Sequence, residues 1–337
     1  MKILVTGGTG YIGSHTCVEL INNNHEVVIA DNLYNSNVAV LDRIKKITGV
    51  MPKFYQVDIL DYDNLEKVFI ENKFDACIHF AGYKAVGESV SIPLTYYKNN
   101  IAGSINLYEL MKKYNVNNLV FSSSATVYGD DFDVPFKEEY GYGTTTNPYG
   151  TTKMMNEMII TDWCKADKNV SSVLLRYFNP IGAHESGLIG EVPNGVPNNL
   201  VPYIAQVATG ERDYLRVWGS DYDTVDGTGV RDYIHVVDLA KAHVKAIEYA
   251  CKNKGVEVIN VGTGKGYSVL EVIKAYEKAC GHKIEYKIMD RRPGDIATCY
   301  ADPKKAKELL DFEAKLDIDK MCEDSYRFNS LNPEGIK

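Results

Sequence analysis

Residues 1–31 constrain the fold more than any other stretch of this chain. Lys2-Ile3-Leu4-Val5 is a short apolar run that reads as a buried strand, and it breaks into Thr6-Gly7-Gly8-Thr9-Gly10-Tyr11-Ile12-Gly13. Cys17, Val18, Leu20 and Ile21 then recur at helical spacing, up to the breaker Asn22-Asn23-Asn24. A second apolar run, Val27-Val28-Ile29-Ala30, ends at Asp31. Gly8, Gly10 and Gly13 satisfy G-x-G-x-x-G, while Gly7, Gly10 and Gly13 satisfy the wider G-x-x-G-x-x-G. Glycines allow the tight turn, and they let backbone N–H groups at a helix N-terminus reach a pyrophosphate with no Cβ in the way. An acid at position 31 accepts hydrogen bonds from an adenosine ribose and repels a 2′-phosphate, which favours NAD over NADP.

The pattern continues in kind. Asn32, Leu33, Tyr34, Asn35 and Ser36 form a polar loop suited to the adenosine end. Leu41, Ile44 and Ile47 keep helical spacing; residues 53–57 read as a strand ending at Asp58; Leu65, Val68, Phe69 and Ile70 mark another helix. A fourth strand over 76–80 opens into Ala81-Gly82-Tyr83-Lys84. One long helix is expected after Pro93, through Tyr96, Tyr97, Ile101, Ile105, Leu107, Leu110 and Met111. A fifth strand at 118–121 runs into Ser122-Ser123-Ser124. Such alternation predicts a parallel, doubly wound α/β sheet. Right-handed crossovers then bring residues 7–13, Asp31, Asp58, 81–84 and 122–124 to one edge.

From Asn179 the pattern loosens. Residues 182–202 are rich in glycine, proline and asparagine and read as long loops, which in compact chains are usually functional. Strands at 214–218 and 256–261 and helices at 237–250 and 269–279 suggest a smaller mixed α/β domain closing over the sheet edge. The expected division is 1–178 for the nucleotide and 179–337 for the substrate, with 232–250 a candidate to return to the first domain.

Composition narrows the partners. A length of 337 residues suits two domains, and a net charge of −8 without a basic stripe argues against nucleic acid. No apolar stretch approaches the ~20 residues of a membrane helix, so no membrane partner is expected. The N-terminus enters a strand directly, so no signal peptide is expected. Seven scattered cysteines without C-x-x-C suggest free thiols in a reducing, cytoplasmic compartment. Seven scattered histidines show no metal-ligand spacing, so no metal is expected.

The reactive group stands in Asn147-Pro148-Tyr149-Gly150-Thr151-Thr152-Lys153, just before a helical pattern through Met155, Ile159 and Trp163. Tyr149 and Lys153 are four apart and share a helix face. A tyrosine with a reference pKa near 10 is a poor base, and bringing it to ~7 takes roughly 4 kcal/mol of preference for the phenolate. A close ammonium and a positively charged nicotinamide ring can supply that. The Ser124 hydroxyl, at the end of the fifth strand, can share the substrate's proton. Taken alone, Tyr-x-x-x-Lys is common and reads most simply as a surface tyrosine beside a lysine; the dinucleotide fingerprint and the Ser-Ser-Ser strand end reverse that reading.

T-G-G-T-G-Y-I-G at 6–13, Asp31, F-S-S-S-A-T-V-Y-G at 121–129 and Y-G-T-T-K at 149–153 resemble the extended short-chain dehydrogenase/reductase family. H-F-A-G-Y-K-A-V-G-E-S at 79–89, L-R-Y-F-N-P-I-G-A-H at 175–184, P-N-N-L-V-P-Y-I at 197–204 and D-G-T-G-V-R-D-Y-I-H-V-V-D-L-A at 226–240 are similar to its UDP-hexose 4-epimerase branch. The resemblance runs from Lys2 to about Ala306. It implies a Rossmann-type sheet, a resident NAD, and interconversion of UDP-galactose and UDP-glucose through a 4-keto sugar. It further implies that Tyr149 takes the 4-hydroxyl proton, Lys153 lowers the tyrosine pKa and holds the nicotinamide ribose, and Ser124 relays the proton.

The resemblance carries cofactor contacts onto Gly7, Gly10, Tyr11, Ile12, Gly13, Asp31, Asn32, Leu33, Tyr34, Asn35, Ser36, Asp58, Ile59, Phe80, Ala81, Gly82, Tyr83, Lys84, Asn99, Ser124, Tyr149, Lys153 and Phe178. It carries the UDP-sugar onto Lys84, Ser124, Tyr149, Asn179, Asn199, Leu200, Arg216, Val217, Trp218, Arg231 and the span 292–295, including Arg292 and Asp295. Two arginines suit a diphosphate, because a planar guanidinium fork matches phosphate oxygens, although each alone reads as a surface charge. Asn179 before Pro180 reads equally as a turn. Cys299 stands where some family members have a bulky tyrosine beside the sugar's 2-position. The smaller side chain leaves room for an N-acetyl group, unless neighbouring Tyr300 fills the space, so UDP-GlcNAc and UDP-GalNAc are candidate substrates. A related 4,6-dehydratase needs an acidic pair after the strand-end serine, where this chain has Ala125-Thr126. An epimerase for UDP-uronic acids and a non-catalytic nucleotide sensor are the remaining alternatives. The resemblance also implies a homodimer, paired through the helices after Pro93 and after Pro148.

Overall fold

The computed structural model describes residues 1–292 and 295–337. In chain order its first elements are β1 (Lys2–Thr6), α1 (Tyr11–Asn22), β2 (Glu26–Asp31), α2 (Val40–Thr48), β3 (Lys53–Gln56), α3 (Tyr62–Glu71) and β4 (Ala76–His79). There follow α4 (Val86–Ser91), α5 (Pro93–Tyr97), a π-helical turn (Lys98–Ala102), α6 (Gly103–Lys113), β5 (Asn118–Ser122), α7 (Pro148–Ala166) and β6 (Ser171–Tyr177). Next come β7 (Asn179–Ile181), α8 (Leu200–Ala208), β8 (Leu215–Trp218), β9 (Val230–His235), α9 (Val236–Lys252) and β10 (Gly255–Val261). The chain ends with β11 (Gly266–Ser268), α10 (Val269–Cys280), β12 (Tyr286–Met289), β13 (Thr298–Cys299), α11 (Lys304–Leu310) and α12 (Ile318–Leu331).

Seven strands form one wholly parallel sheet in the order β10-β6-β5-β4-β1-β2-β3. β4 and β6 are buried along their whole length, as expected of strands covered by helices on both faces. Two separate apolar clusters line the two faces, one with α1 and α9, the other with α3, α6 and α7. The strand order reverses between β1 and β4. In a Rossmann-type sheet of this kind, that switch point opens a crevice beyond the carboxyl ends of the strands.

The sheet's outermost strand corrects the division expected from the sequence. Residues 256–261, assigned there to the smaller domain, belong to β10, which pairs in parallel with β6 from Gly255↔Ser171 to Val261↔Tyr177. The chain therefore returns to the large sheet through α9, packed on α1, and does so beyond residue 250. Ile259 and Val261 are fully buried there, in the cluster that α1 and α9 share. The smaller unit keeps β7, β9, β11 and β13 in one sheet and β8 with β12 in another, around a third cluster from α8, α10 and α12.

The single helix expected after Pro93 is also corrected. It is α5 and α6 joined by the π turn, with a separate α4 before the proline. The extra residue per turn swings Asn99 and Asn100 inward, where both are buried. Interruptions of this kind occur frequently at functional sites.

Candidate active site

The glycine turn is built for close approach. Gly7 has φ 71°, and a Cβ on Gly13 would lie 2.2 Å from the Gly7 carbonyl oxygen, so α1 packs directly on the turn. A Cβ on Gly10 would meet only that same carbonyl, at 3.2 Å, and its far side is open. Gly10 caps α1 without a side-chain hydrogen bond, and the first turn carries no acidic residue. The N-terminus of α1 thus presents free N–H groups to an anion.

Asp31 closes the other end of this cradle. Its carboxylate is buried and accepts from the N–H of Thr9 (3.1 Å) and of Leu33 (2.9 Å) and from the Ser36 hydroxyl (3.3 Å). A carboxylate offers about four acceptor positions, so one remains for a ribose hydroxyl. Asp58 accepts from Asn32 Nδ2 (2.9 Å) and from the N–H of Leu60 (2.8 Å). The Tyr34 and Tyr83 rings lie 4.8 Å apart over this end, and Asn35 is exposed there. These residues fit the adenosine, ribose and pyrophosphate of a dinucleotide.

Several of the predicted contact residues have side chains engaged elsewhere. The Tyr11 hydroxyl donates to the Gly182 carbonyl at 2.7 Å, and burial pushes its pKa well up. Ile12 and Phe80 pack against the α1 side of the core, and Ala81 against the opposite cluster. Ile59 is buried so close to Gly103 that a Cβ there would meet it at 2.6 Å. Asn99 donates to Asn100, which clamps the Tyr83 backbone on both its N–H (2.8 Å) and its carbonyl (3.0 Å), beside Gly82. Asn100 also donates to Thr152 on α7 (3.0 Å). Sequence reasoning missed Asn100; the signal was a second asparagine inside an apolar helical pattern.

The reactive side chains meet at the switch point. Asn147 caps α7 by accepting from the N–H of Gly150 (2.9 Å), and Pro148 occupies the first helical position. Tyr149 therefore sits in the first turn, where the helix dipole favours a negative charge. Lys153 follows one turn later on the same buried face, with Nζ 5.8 Å from the Tyr149 ring centre and 2.6 Å from the Ser122 carbonyl. One ammonium proton is thus committed and two are free. Ser124 Oγ accepts from both the N–H (3.2 Å) and the hydroxyl (3.0 Å) of Thr126, leaving its own proton to donate. Thr126 is another contributor that the sequence did not single out.

The sequence argument has a close ammonium and the nicotinamide ring together bring Tyr149 towards neutrality. In the polypeptide alone burial wins: it pushes Tyr149 up to about 12, and the Ser124 hydroxyl pulls it back only in part. Burial also lowers Lys153 to about 8, opposed by the charge of Glu157. Desolvation penalises whichever form is charged.

Opposite these groups lie residues of the smaller unit. Lys84 Nζ pairs with Glu191 at 2.9 Å, a partner from the long loop that no local signal announced. Arg292 makes a two-pronged ion pair with Asp295 (2.9 and 3.0 Å), and Arg231 Nη2 stands 4.0 Å from the same carboxylate. The rest of the 292–295 span, Pro293 and Gly294, lies outside the described residues. Asn179 and Asn199 are exposed, and Asn199 begins α8 without a side-chain cap. On β8, Arg216 and Trp218 face out, while the Val217 side chain is buried in the third cluster and Leu200 packs against it. Only the main chain of Val217 can meet a ligand. A shallow hollow of about 400 Å³ next to Trp218 is lined by residues 219–221 and 288–291.

Strand alternation orients position 299. β13 pairs Cys299 with Arg231 of β9, and Cys299 and Ala301 pack on the cluster of Ala125, Phe136 and Phe178. Tyr300 points the other way, its ring 3.7 Å from where a Gly266 Cβ would be. It does not fill the space beside Cys299.

Among the described residues, no group of histidine, cysteine and acidic side chains is placed to hold a metal ion, and no helix is long and apolar enough to cross a membrane. The family model described as NAD dependent epimerase/dehydratase matches residues 3–262. The chain is 58% identical to a UDP-glucose 4-epimerase of Bacillus subtilis over 337 residues, covering 100% of this chain and 99% of that one. It is 53% identical to the human UDP-glucose 4-epimerase over 341 residues, covering 99% and 98%. A crystal structure of the Bifidobacterium longum UDP-glucose 4-epimerase with NAD+ and UDP superposes with a TM-score of 0.96 at 55% identity, covering 99% of this chain and 100% of that one.

Proposed function

The chain belongs to the NAD dependent epimerase/dehydratase family, and on that premise we propose that it interconverts UDP-galactose and UDP-glucose, with the following division of labour among its residues. The observation that carries this reading is the convergence of Tyr149, Lys153 and Ser124 beside an uncapped glycine turn at the sheet's switch point. Bound NAD supplies an acceptor, and later a donor, for the hydride at sugar C4, so the hexose passes through a 4-keto form with no net redox change.

Tyr149 takes the proton of the sugar's 4-hydroxyl and returns it after the ring has turned. Ser124 donates its free proton to the oxygens that share this transfer. Lys153 directs its two uncommitted N–H groups to the nicotinamide ribose and, through its charge, favours the Tyr149 phenolate. Arg231 and Arg292 leave Asp295 to grip the diphosphate, so the nucleotide stays anchored while the hexose is free to present either face. The α8 N-terminus at Asn199 and the β8 backbone hold the remaining phosphate and the uracil.

The reading extends to UDP-GlcNAc and UDP-GalNAc, because Cys299 is small and Tyr300 is turned away. Activity on the N-acetyl pair is expected from the native chain and should fall at least tenfold in Cys299→Tyr, with the UDP-galactose rate kept. The protein also acts as a homodimer in this reading: Leu94, Ile105 and Met158 leave apolar surface on α5, α6 and α7, Leu94 being 82% exposed. Seven unpaired cysteines favour a cytoplasmic setting.

The first experiment is to incubate purified protein with UDP-galactose and no added cofactor. Formation of UDP-glucose supports a resident NAD; activity only after NAD is added would mean a weakly held one. No conversion under either condition would overturn the reading.

A further inference from the structure

Helix α7 carries one more polar group on its buried stripe. Tyr149, Lys153, Glu157, Ile160 and Cys164 are all buried, at the spacing of a single helix face. Glu157 is fully buried, one turn beyond Lys153, and Arg176 of β6 is 2% exposed beside it. The guanidinium donates three times to the carboxylate: Nε to Oε1 at 3.0 Å and to Oε2 at 3.2 Å, and Nη2 to Oε2 at 2.6 Å. The Ser123 hydroxyl, next to Ser124, donates to Oε1 as well. Arg176 also reaches the Gly141 carbonyl (2.9 Å) and lies over the Tyr128 and Tyr142 rings, 4.7 and 5.1 Å from their centres.

We propose that Glu157 is a positioning residue of the reactive centre: its carboxylate keeps Lys153 charged and locks α7 to the ends of β5 and β6, which carry Ser124 and Phe178. This rests on the reaction assigned above. A buried ion pair is no obvious gain in stability, since an apolar pair of the same shape is often as stable or more so. What an apolar pair cannot supply is a negative charge behind Lys153.

The groups around that ammonium are few. From α7 they are Tyr149 and Glu157; from β5, the Ser122 carbonyl and the Phe121 ring; from β4, His79, held neutral by burial. From β6 there are Arg176, beyond Glu157, and Tyr177, whose hydroxyl meets that of Ser122. Among the described residues Glu157 is the one carboxylate in this shell, and it is the group that offsets the burial of Lys153.

The test compares the alkaline limb of kcat/KM for UDP-galactose in three proteins, with saturating NAD added and with NAD affinity followed in parallel by protein fluorescence. Glu157→Gln keeps the shape and removes the charge, so the limb should move towards acid by about one pH unit, in both readouts. Arg176→Gln leaves Glu157 buried without its cation, so the carboxyl takes up a proton and the limb should move towards acid as well. Variants that merely loosen the fold would lose activity without displacing the limb. If Glu157→Gln does not fold, an acidward limb in Arg176→Gln sustains the proposal, and an unmoved or alkaline one overturns it. Coincident limbs in all three proteins overturn it while leaving the reaction standing. A native protein inactive on UDP-galactose overturns the reaction itself.

Discussion

Replacing Lys153 by methionine tests the proposal that the site makes a base of Tyr149. With the phenol pushed up to about 12, ionisation at pH 7 costs about 7 kcal/mol. Lys153 Nζ is 5.8 Å from the Tyr149 ring centre. At an effective dielectric constant of ~20, a unit charge at that range favours the phenolate by about 3 kcal/mol, or ~100-fold in population. The remainder falls to the helix dipole, the Ser124 proton and the positive ring of the bound cofactor. Lys153→Met should therefore lower kcat/KM for UDP-galactose ~100-fold at pH 7, measured with saturating NAD so that a lost ribose contact does not count. Because hydroxide can ionise the phenol instead, the deficit should shrink by about tenfold for each unit of rising pH. A variant within threefold of the native enzyme at pH 7 would refute the electrostatic argument. So would a deficit that stays constant between pH 7 and 9.5, which would assign Lys153 a binding role alone.

Gly13→Ala places a methyl group 2.2 Å from the Gly7 carbonyl oxygen, between two stretches of backbone. It should cost about 1–3 kcal/mol of stability, read as a lower Tm, and weaken NAD retention on gel filtration. His15, His79 and His243 are buried and lowered by desolvation to about 3, 3 and 4. Below pH 6.5 the unfolded chain binds protons that the folded one refuses, so their stability contribution, intact above 6.5, is lost as the pH falls towards 4. At pH 5 each costs about 2 kcal/mol, and a urea midpoint unchanged between pH 7.5 and 5 would contradict this. Leu94→Glu together with Met158→Glu should shift the proposed homodimer to monomer in light scattering, and an unchanged mass would place the interface elsewhere.

What the sequence determined by itself is what neighbours in the chain determine. The glycine turn with its flanking strands and Asp31 is one contiguous unit, and Tyr149 and Lys153 are fixed by the repeat of a single helix. The edge that gathers the site follows from alternation and from the handedness of crossovers. Tertiary structure decided the rest, because those partners are far apart in sequence and no periodicity couples them. Lys84 meets Glu191 only where the long loop of the smaller unit reaches the large one, and Arg231 meets Asp295 only where β9 lies beside the segment leading into β13. β10 completes the large sheet by pairing with β6 along its whole length, a contact invisible until β6 is in place. Asn100 turns inward because a π turn slips the helical register, and Tyr300 turns away because β13 pairs with β9. The burial that lifts Tyr149 and lowers Lys153 is likewise a property of the packed site, so the candidate base was legible in the chain while its surroundings were not.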